Sequence, residues 1–437
     1  MFMDIMDKLR TRNPKEFFTF ANCVSGFKKK ITFAQAFKSS LDSNGDIVEA
    51  PSFKDYMSRL YQENAVHNIM PFIPRNREEI VTVSTEDMEL AFKQLKTGKA
   101  GGLDGLRDFI LKAPEYRNIL LQRLTPLFND WANGGTVPAY LKATKTIPLS
   151  KEDNNNHPEE GNIRTIAVAS ALTKLYENVL LEKLQKHVDD NDIMFSGQRG
   201  FRRGMSTLNN IHELQEWVSQ AKQEMRRNRN IISQKRRKPD FYVITADLVK
   251  SFDRVNRPIL IEEMLRLKFN SNLVRAVREL LDGTEMNIKG EAVKTNIGTP
   301  QGSILSPLLH NIHINQVLIN LNKLAKTLGY ADDTIFFVKG EFNLNILLTE
   351  IKAQFKKIRV EVNTKKSSIM QLVTNMNQRN TNTGSIKEIP MVRETKYLGC
   401  MVNQTCNWNL ECQAKRTLES NLKKATWVLR KKCLSSQ

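Results

Sequence analysis

Two adjacent carboxylates, Asp332 and Asp333, stand in the run LGYADDTIFFV (residues 328–338), between stretches that are otherwise apolar. Like charges side by side are costly to remove from water unless a cation or hydrogen bonds compensate them. The run predicts a β-hairpin with both Asp residues at its tip, at the end of a sheet. A third carboxylate, Asp247, follows the apolar, β-branched run FYVITA. Three converging carboxylates would hold two divalent ions about 3.5–4 Å apart for in-line phosphoryl transfer, and oxygen ligands favour Mg²⁺.

An Asp pair is also an ordinary turn sequence, because Asp is a common turn residue. Three neighbouring features favour a site instead. They are the strand that ends in Asp247, the Gly/Pro/Gln loop at residues 298–302, and the basic character of the chain. All three point to one substrate class, a phosphate-bearing polymer and its nucleotides.

The elements that must position these side chains are a mixture of helices and strands. Ser84, with Asp87 three residues later, predicts a capped helix start. Periodicity predicts the other elements in chain order: a strand and a helix in 162–188, helical structure in 258–281, short strands at 286–288 and 293–297, and a helix at 343–358. Because strands and helices do not alternate strictly, an α+β fold with a palm-like sheet is favoured over a doubly wound sheet.

The charge balance predicts a polyanionic partner. The 437 residues include 66 Lys and Arg against 47 Asp and Glu, a net charge of +19 that is spread along the chain. Nucleic acid is favoured over a membrane surface, because no basic amphipathic helix dominates; a merely soluble basic protein is the alternative. The segment RRNRNIISQKRRK (residues 226–238) contains no acid and predicts an exposed loop, either solvated or in contact with nucleic acid.

Cysteine usage and hydropathy indicate a soluble protein that is not secreted. The five cysteines form no CxxC pair, and no His completes a familiar zinc spacing, so reduced intracellular thiols are expected. The chain contains no apolar run of about 18 residues and no signal-peptide layout at its N-terminus. The cysteines are Cys23, Cys400, Cys406, Cys412 and Cys433.

An ordered series of motifs resembles reverse transcriptases. ADLVKSFDRVNR, GTPQGSILSPLL, YADD, NTKKS and KYLGC follow one another as in that family. Upstream, GKAGGLDGL, IPLSKED, NIRTIAV and GQRGFRRGMST resemble the finger motifs of the non-LTR (LINE-type) retrotransposon class. The resemblance covers roughly residues 80–437. YADD alone would be a weak signal, whereas the ordered series is specific.

The resemblance implies a right-hand polymerase fold of the α+β class. Fingers are expected over residues 80–240 and a palm with an antiparallel sheet over 241–390. The primer-grip turn and a partial thumb are expected over 391–437. Residues 1–79 are interpreted as a loosely packed leader or linker without a site.

The resemblance also assigns the metal ligands and the residue beneath the incoming sugar. Asp247 and Asp332 become the principal ligands, with Asp333 beside them and the backbone carbonyl of Leu248 as a further ligand. Phe252 is similar to the aromatic residue that blocks a 2′-hydroxyl; the alternative is an ordinary core Phe at a strand-to-helix corner.

The Gly-rich loop is implied to pack on the nucleotide and template through Gln301 and Gly302. This reading makes physical sense, because a backbone approaches a base closely only where side chains are absent. The alternative is a plain turn before a helix that starts near Ser303.

Three further groups of residues are similar to family positions. Arg164 corresponds to the finger arginine that binds the triphosphate, and a guanidinium suits bidentate phosphate contact. Lys151 corresponds to the finger lysine; the alternative is a surface residue, because any single Lys in so basic a chain can be one. Lys366 corresponds to the lysine proposed to protonate the departing pyrophosphate, with Lys365 as an alternative. Tyr397, Leu398 and Gly399 correspond to the turn that holds the primer terminus. The alternative is that these residues only pack between strands.

Two positions depart from the family pattern. Thr165 stands where the family usually has Pro, and His310 stands where it usually has an aromatic residue. Neither is a metal ligand, so altered nucleotide affinity is the expected consequence. The stretch after YLGC is shorter than a full thumb, and no endonuclease is recognisable before the leader. We therefore expect a segment of a larger element, or a decayed or incomplete copy.

Together these features predict an RNA-directed DNA polymerase that copies retrotransposon RNA. The expected cofactor is two Mg²⁺ ions, with Mn²⁺ as a possible substitute. The expected partners are an RNA template, a DNA primer or target and dNTPs, with no membrane. A nuclear location follows from the resemblance, and the oligomeric state stays open.

Three other functions compete with this prediction. A group II intron-type maturase or another cellular reverse transcriptase shares the central motifs. A domesticated, non-catalytic RNA-binding scaffold is a second alternative, disfavoured by the intact Asp247, Asp332 and Asp333. An RNA-dependent RNA polymerase is disfavoured because Ala331, rather than Gly, precedes the Asp pair.

Overall fold

A computed structural model describes residues 32–41, 47–48, 50–62, 68–152, 154–227, 240–373 and 384–404. The helices are α1 (Phe53–Tyr61), α2 (Thr85–Gln94), α3 (Asp108–Lys112), α4 (Arg117–Ala132), α5 (Ala139–Lys142), α6 (Ala171–Asp190), α7 (Thr207–Arg227), α8 (Arg257–Arg266), α9 (Ser271–Leu281), α10 (Ser306–Asn322) and α11 (Glu341–Lys357). The strands are β1 (Ser40–Leu41), β2 (Ile47–Val48), β3 (Ala143–Ser150), β4 (Ile163–Val168), β5 (Phe241–Ala246), β6 (Thr284–Ile288), β7 (Glu291–Thr295), β8 (Lys326–Tyr330), β9 (Asp333–Lys339), β10 (Ser368–Gln371), β11 (Ser385–Ile386), β12 (Ile389–Pro390), β13 (Glu394–Tyr397) and β14 (Cys400–Asn403).

The central sheet has the strand order β10-β5-β9-β8, and every pair in it is antiparallel. Successive side chains of a strand point to opposite faces. Along β5, Tyr242 and Ile244 join the cluster formed with α10 and α11, whereas Phe241 and Val243 join the cluster formed with α7. Because both faces are covered by helices, FYVITA and TIFFV are apolar almost throughout rather than alternating.

A second sheet has the strand order β4-β3-β6-β7, with β3 and β6 parallel. The β6–β7 hairpin belongs to the range that the sequence assigned to the palm, yet it extends the sheet of residues 143–168. A large cluster of buried apolar side chains joins α2, α4, α6, α8 and α9. The described part of the chain therefore mixes helices with two largely antiparallel sheets, as predicted for an α+β fold.

The sequence predicted some helix boundaries correctly and others incorrectly. Ser84 and Asp87 form the predicted capping box at the start of α2. The helical periodicity over 258–281 is confirmed, but it belongs to two helices. Lys268 adopts φ 58° between them, and Asn270 caps α9 by accepting from the backbone N–H of Asn272 and Leu273. The helix expected near Ser303 begins at Ser306.

The expectation of a loosely packed leader is wrong for α1. Ser52 caps this helix, and its apolar residues, Phe53 and Met57 among them, are buried against Ile163 and Met286 of the second sheet. Burying such side chains contributes about 1.5–3 kcal/mol each, relative to leaving them exposed.

Several predictions fall wholly or partly outside the described residues. The basic segment 226–238 is described only as far as Arg227, where α7 ends. The partial thumb beyond residue 404 is outside, as are all the cysteines except Cys400, which is free. Within the described ranges, no helix is long and apolar enough to cross a bilayer.

Candidate active site

The paired carboxylates lie on the hairpin between β8 and β9. Tyr330 pairs with Asp333, which leaves Ala331 and Asp332 as the loop, and Asp333 is the first residue of β9. Ala331 adopts φ 58°, the sign that tight hairpin turns require at their first loop position. The predicted hairpin with the Asp pair at its tip is thus confirmed.

A buried glutamine fixes this turn, and the sequence analysis missed it. Gln198 Oε1 accepts from the backbone N–H of Ala331 at 3.0 Å and of Gly200 at 3.0 Å, and its Nε2 donates to the Ala331 carbonyl at 3.1 Å. A Cβ on Gly200 would lie 2.2 Å from the Ala331 nitrogen. The GQRG run thus needs Gly so that its backbone can touch the turn. Its place among the finger motifs was the only signal for Gln198.

Asp247 reaches the same end of the sheet from the neighbouring strand. Ala246 pairs with Thr334, so the next register position sets Asp247 beside Asp333. The Asp247 backbone N–H donates to Ser367 Oγ at 3.1 Å, and its carbonyl accepts from the Asn363 N–H at 2.8 Å. Leu248 follows, with a buried side chain and a β-bridge to Val362.

The three carboxylates act on one another electrostatically. Desolvation raises the pKa of Asp333 to about 6, and the charges of Asp332 and Asp247 contribute further. Desolvation also raises the pKa of Asp247; the charge of Lys366 opposes this shift, and that of Asp332 adds to it. This region therefore concentrates negative charge that is only partly compensated.

The donor set fits Mg²⁺ as a cofactor that the substrate helps to bind. Carboxylate oxygens are hard ligands, and Mg²⁺ is usually held by one or two carboxylates together with water and substrate phosphates. Within the described residues, no group of three or more His, Cys, Asp or Glu side chains forms a protein-only metal site. The convergence of the three carboxylates on one metal point stays a prediction, and the three act on one another electrostatically.

Basic side chains border the carboxylates. Desolvation lowers the pKa of Lys151, and the charges of Lys366 and Arg164 lower it further. The charges of Asp253 and Asp247 oppose this shift. Arg164 is exposed on β4, opposite Leu149 of β3, and Lys151 follows β3 directly. The charge of Lys366 acts on Asp247, which favours Lys366 over Lys365 as the residue at the site.

Phe252 stacks on His310. The ring centroids lie 4.2 Å apart with an interplanar angle of 15°. The rings of Phe201 and Phe252 are perpendicular, with centroids 6.3 Å apart. His310 is fully buried on α10, and its Nε2 is hydrogen-bonded to Ser251 Oγ. Phe252 is half-buried, so its side chain is neither fully buried in the core nor fully exposed to solvent.

The loop with Gln301 and Gly302 is fixed by close backbone contacts. The Ala167 N–H donates to the Gln301 carbonyl at 2.8 Å, and a Cβ on Gly302 (φ 137°) would lie 2.2 Å from the Ala167 oxygen. The Gln301 side chain donates to Asp253 Oδ1 at 2.7 Å. Glu177, which the sequence analysis did not single out, accepts from Ser303 Oγ at 2.6 Å and so anchors the far side of the loop.

Tyr397, Leu398 and Gly399 form the hairpin turn between β13 and β14. Leu398 (φ 47°) and Gly399 (φ 85°) are both left-handed, as a type I′ turn requires. Tyr397 is buried, and its hydroxyl accepts from Asn210 Nδ2 at 3.0 Å. Asn210 also donates to the Gly329 carbonyl at 2.9 Å, which links this turn to the Asp hairpin.

Comparison with known proteins decides the family. Residues 149–402 match the family model described as reverse transcriptase (RNA-dependent DNA polymerase), which is more than half of the chain. The chain belongs to the reverse transcriptase family. This membership accounts for Asp247, the Asp332–Asp333 hairpin and the Gln301 loop within one matched region.

Two curated relatives of this chain come from mobile elements. It is 23% identical over 424 residues to "Probable RNA-directed DNA polymerase from transposon BS" of Drosophila melanogaster, covering 91% of this chain and 44% of that protein. It is 25% identical over 303 residues to the Pol polyprotein of type-1 retrotransposable element R2 of Popillia japonica, covering 65% and 39%. The resemblance to non-LTR retrotransposon enzymes is confirmed, and the reverse transcriptase spans less than half the length of either relative.

A solved telomerase of Candida tropicalis, in complex with a fragment of telomeric RNA, is also similar. The likeness has 15% identity and a TM-score of 0.44, and covers 66% of this reverse transcriptase and 48% of the telomerase chain.

The His310 side chain gives this reverse transcriptase a testable pH dependence. Burial lowers the pKa of His310 to about 4, so the folded state keeps it neutral while the unfolded chain takes up a proton below pH 6.5. The unfolded state binds more protons there, so the His310 contribution to stability falls with pH from about 6.5 toward 4. His310→Phe retains an aromatic ring but has no group that takes up a proton. We expect its free energy of unfolding, relative to that of wild type, to rise by about 2 kcal/mol when the pH is lowered from 7 to 5.

Urea unfolding of wild type and His310→Phe at both pH values measures this difference. His313, also buried with its pKa lowered to about 3, is present in both proteins; burial is the main cause of its shift and the charge of His310 a smaller one, so its contribution is nearly the same in the two. Parallel pH profiles for the two proteins would contradict a buried neutral His310.

Proposed function

We propose that this chain is an RNA-directed DNA polymerase that copies retrotransposon RNA into DNA. The observation that carries the proposal is the meeting of Asp247 with the Asp332–Asp333 hairpin at one end of the central sheet. Basic residues border this point, and Phe252 and Gln301 lie on adjacent segments. Such an arrangement suits attack of a primer 3′-hydroxyl on the α-phosphate of a dNTP.

Asp247 and Asp332 would be the principal ligands of two Mg²⁺ ions, with Asp333 and the Leu248 carbonyl beside them; Mn²⁺ is an alternative. Bound Mg²⁺ supplies charge stabilisation for the attacking and leaving oxygens. The raised pKa values of Asp247 and Asp333 support this assignment, because a bound cation would relieve the repulsion between the carboxylates.

The basic residues would bind the triphosphate. Arg164 offers a planar fork that suits bidentate phosphate contact, and Lys151 adds charge from the adjacent strand end. Lys366, whose charge acts on Asp247, would hold a proton for the departing pyrophosphate. The mutual repulsion of these cations supports an anionic occupant between them.

The remaining assigned residues would place the nucleotide and the primer. Phe252 would exclude a ribose 2′-hydroxyl, and the backbone at Gln301 and Gly302 would pack on the nucleotide and template. The turn Tyr397–Gly399 would hold the primer terminus, supported by its link through Asn210 to the Asp hairpin.

In this proposal the β10-β5-β9-β8 sheet is the core of the palm and the β4-β3-β6-β7 sheet belongs to the fingers. The RNA template, the DNA primer or target and dNTPs are the proposed partners. We also propose that the protein acts inside the cell, in the nucleus, as for the class that it resembles.

Primer extension tests the proposal directly. The chain is incubated with RNA or DNA templates, a DNA primer, and dNTPs or NTPs, with and without Mg²⁺. We expect Mg²⁺-dependent incorporation of dNTPs on RNA. Incorporation of NTPs alone would favour an RNA polymerase, absence of any incorporation would favour a scaffold, and tight binding to one folded intron would favour a maturase.

Salt dependence provides a prediction about template binding. With a net charge of +19, log K for an RNA–DNA primer–template should fall with log salt by about 0.7–0.9 per phosphate contacted. If the basic segment 226–238 binds phosphates, replacing its Lys and Arg by Gln should reduce the magnitude of the slope by several units. Fluorescence titrations over a salt series measure the slope, and an unchanged slope would identify the segment as a solvated loop.

A further inference from the structure

Helix α1 contacts the segment that carries Phe252 on both sides of that residue. The Lys250 ammonium is hydrogen-bonded to the Tyr56 hydroxyl and lies 4.4 Å from the centroid of the Tyr56 ring. The Tyr61 hydroxyl donates to Asp253 Oδ1. Two tyrosines of one helix therefore hold the residues that flank Phe252, although α1 lies outside the matched family region.

A buried polar network continues from α1 to Gln301. The same Asp253 Oδ1 that accepts from Tyr61 also accepts from Gln301 Nε2 at 2.7 Å. The Tyr61 hydroxyl lies 3.3 Å from Thr165 Oγ1, the position where the family usually has Pro. Tyr61, Asp253 and Thr165 are all buried. Such a network restricts its members strongly, because an unpaired polar group would be costly there.

The electrostatics of the network depend on Tyr61. Burial raises the pKa of Asp253, and the hydrogen bonds from Tyr61 and Gln301 oppose that rise. Burial also raises the pKa of Tyr61, so its hydroxyl stays protonated and remains a donor. Loss of this donor would raise the pKa of Asp253 further and leave its carboxyl group, and with it Gln301, less firmly held in position.

Backbone contacts fix the end of α1 to the chain just before the Gly-rich loop. The Tyr61 carbonyl accepts from the Asn296 N–H at 3.0 Å, and Gln62 Nε2 donates to the Lys294 carbonyl at 3.0 Å. The Tyr61 hydroxyl and the backbone at the end of α1 thus contact two segments, the one that carries Phe252 and the one that leads to Gln301. Both segments approach the nucleotide in the proposed function.

We propose that α1 is part of the nucleotide-selecting site and that Tyr61 is a positioning residue, which orients Gln301 through Asp253. This inference rests on the proposed polymerase function. Tyr61 need not contact the nucleotide. It restricts the positions of Gln301 and Phe252, which would contact the nucleotide in the proposed function. Nucleotide binding and sugar selection, rather than turnover alone, should therefore depend on a residue upstream of the fingers.

Tyr61→Phe tests the inference by removing one buried oxygen and keeping the ring. Tyr176→Phe is a matched control, because Tyr176 is buried among Phe128 and Trp131 and its hydroxyl has no hydrogen-bond partner within the described residues. The 437-residue chain is bound to an RNA template with a dideoxy-terminated primer, so that dNTP affinity is measured without chemistry. Single-nucleotide insertion of dCTP and CTP is then measured with an extendable primer.

We expect Tyr61→Phe to weaken dNTP binding about tenfold, which corresponds to ~1.4 kcal/mol. It should also reduce the ratio of kcat/KM for dCTP to that for CTP, whereas Tyr176→Phe should match wild type. In a Gln301→Ala background, Tyr61→Phe should have little further effect on dNTP affinity, because the two residues act through one path.

Every other outcome would contradict a specific part of the proposal. Wild-type dNTP affinity and sugar ratio in Tyr61→Phe would reject the positioning role and leave the polymerase function intact. A lower Tm with an equal loss of dCTP and CTP insertion would make Tyr61 merely structural. Additive effects with Gln301→Ala would reject the path through Asp253. A wild-type chain that binds no dNTP would overturn the proposed function itself, and this inference with it.

Discussion

Asp332→Asn should reduce primer extension by about 10³-fold or more while leaving RNA affinity within about twofold of wild type. The substitution preserves the shape of the side chain at the hairpin tip and removes its charge. Metal ligation requires that charge, whereas binding to the template depends on many Lys and Arg contacts to phosphates. Single-turnover insertion and a fluorescence titration with labelled RNA measure the two quantities separately.

Asp192→Asn is the matched control for this experiment. Asp192 is exposed just after α6 and has φ 44°, a conformation that Asn adopts as readily as Asp. The control loses the same charge on the surface and should extend primers like wild type. Wild-type extension by Asp332→Asn would remove Asp332 from the catalytic assignment, and loss of RNA binding would indicate a folding or binding role instead.

Phe252→Ala should raise kcat/KM for CTP relative to dCTP by about tenfold or more, a change of at least ~1.4 kcal/mol. In the structure the ring lies flat on His310 and is half-buried, so one face is fixed by the protein. A ring held there would clash with a ribose 2′-hydroxyl and pack against deoxyribose, so it would discriminate by exclusion. Single insertion of dCTP and CTP by the purified chain measures the ratio.

Phe269→Leu separates sugar selection from simple destabilisation. Phe269 is buried against His187, and the shorter side chain should lower Tm without changing the dCTP/CTP ratio. A fully buried Phe truncated to Ala costs about 3–5 kcal/mol. A Phe252→Ala variant with lower Tm and an unchanged ratio would identify Phe252 as a core residue only.

Features that depend on near neighbours in the chain could be predicted from the sequence. The hairpin with Asp332 and Asp333 follows from two apolar runs around a short polar turn. The capping box of Ser84 and Asp87 and the end of strand β5 before Asp247 are equally local. Each involves residues a few positions apart, whose geometry is set by the backbone and whose pattern is therefore visible in the sequence.

The motif series also placed Gln301 and Gly302 in one loop, and the structure supplied the reason for the glycine. Only after folding does the Ala167 carbonyl occupy the space that a Cβ on Gly302 would need. The break between α8 and α9 lies at Lys268, where the backbone adopts φ 58°, and the helical periodicity over 258–281 did not indicate it.

The residues that support the site from distant parts of the chain could be identified only in the folded protein. Gln198 contacts Ala331, Tyr61 contacts Asp253, and the β6–β7 hairpin joins the sheet of β3. His310, noticed in the sequence only as a departure from the family, became the surface on which Phe252 stacks. These contacts join residues separated by many tens of positions, and no local propensity encodes them. They form because the chain must pair its buried polar groups and fill its core once the sheets are assembled.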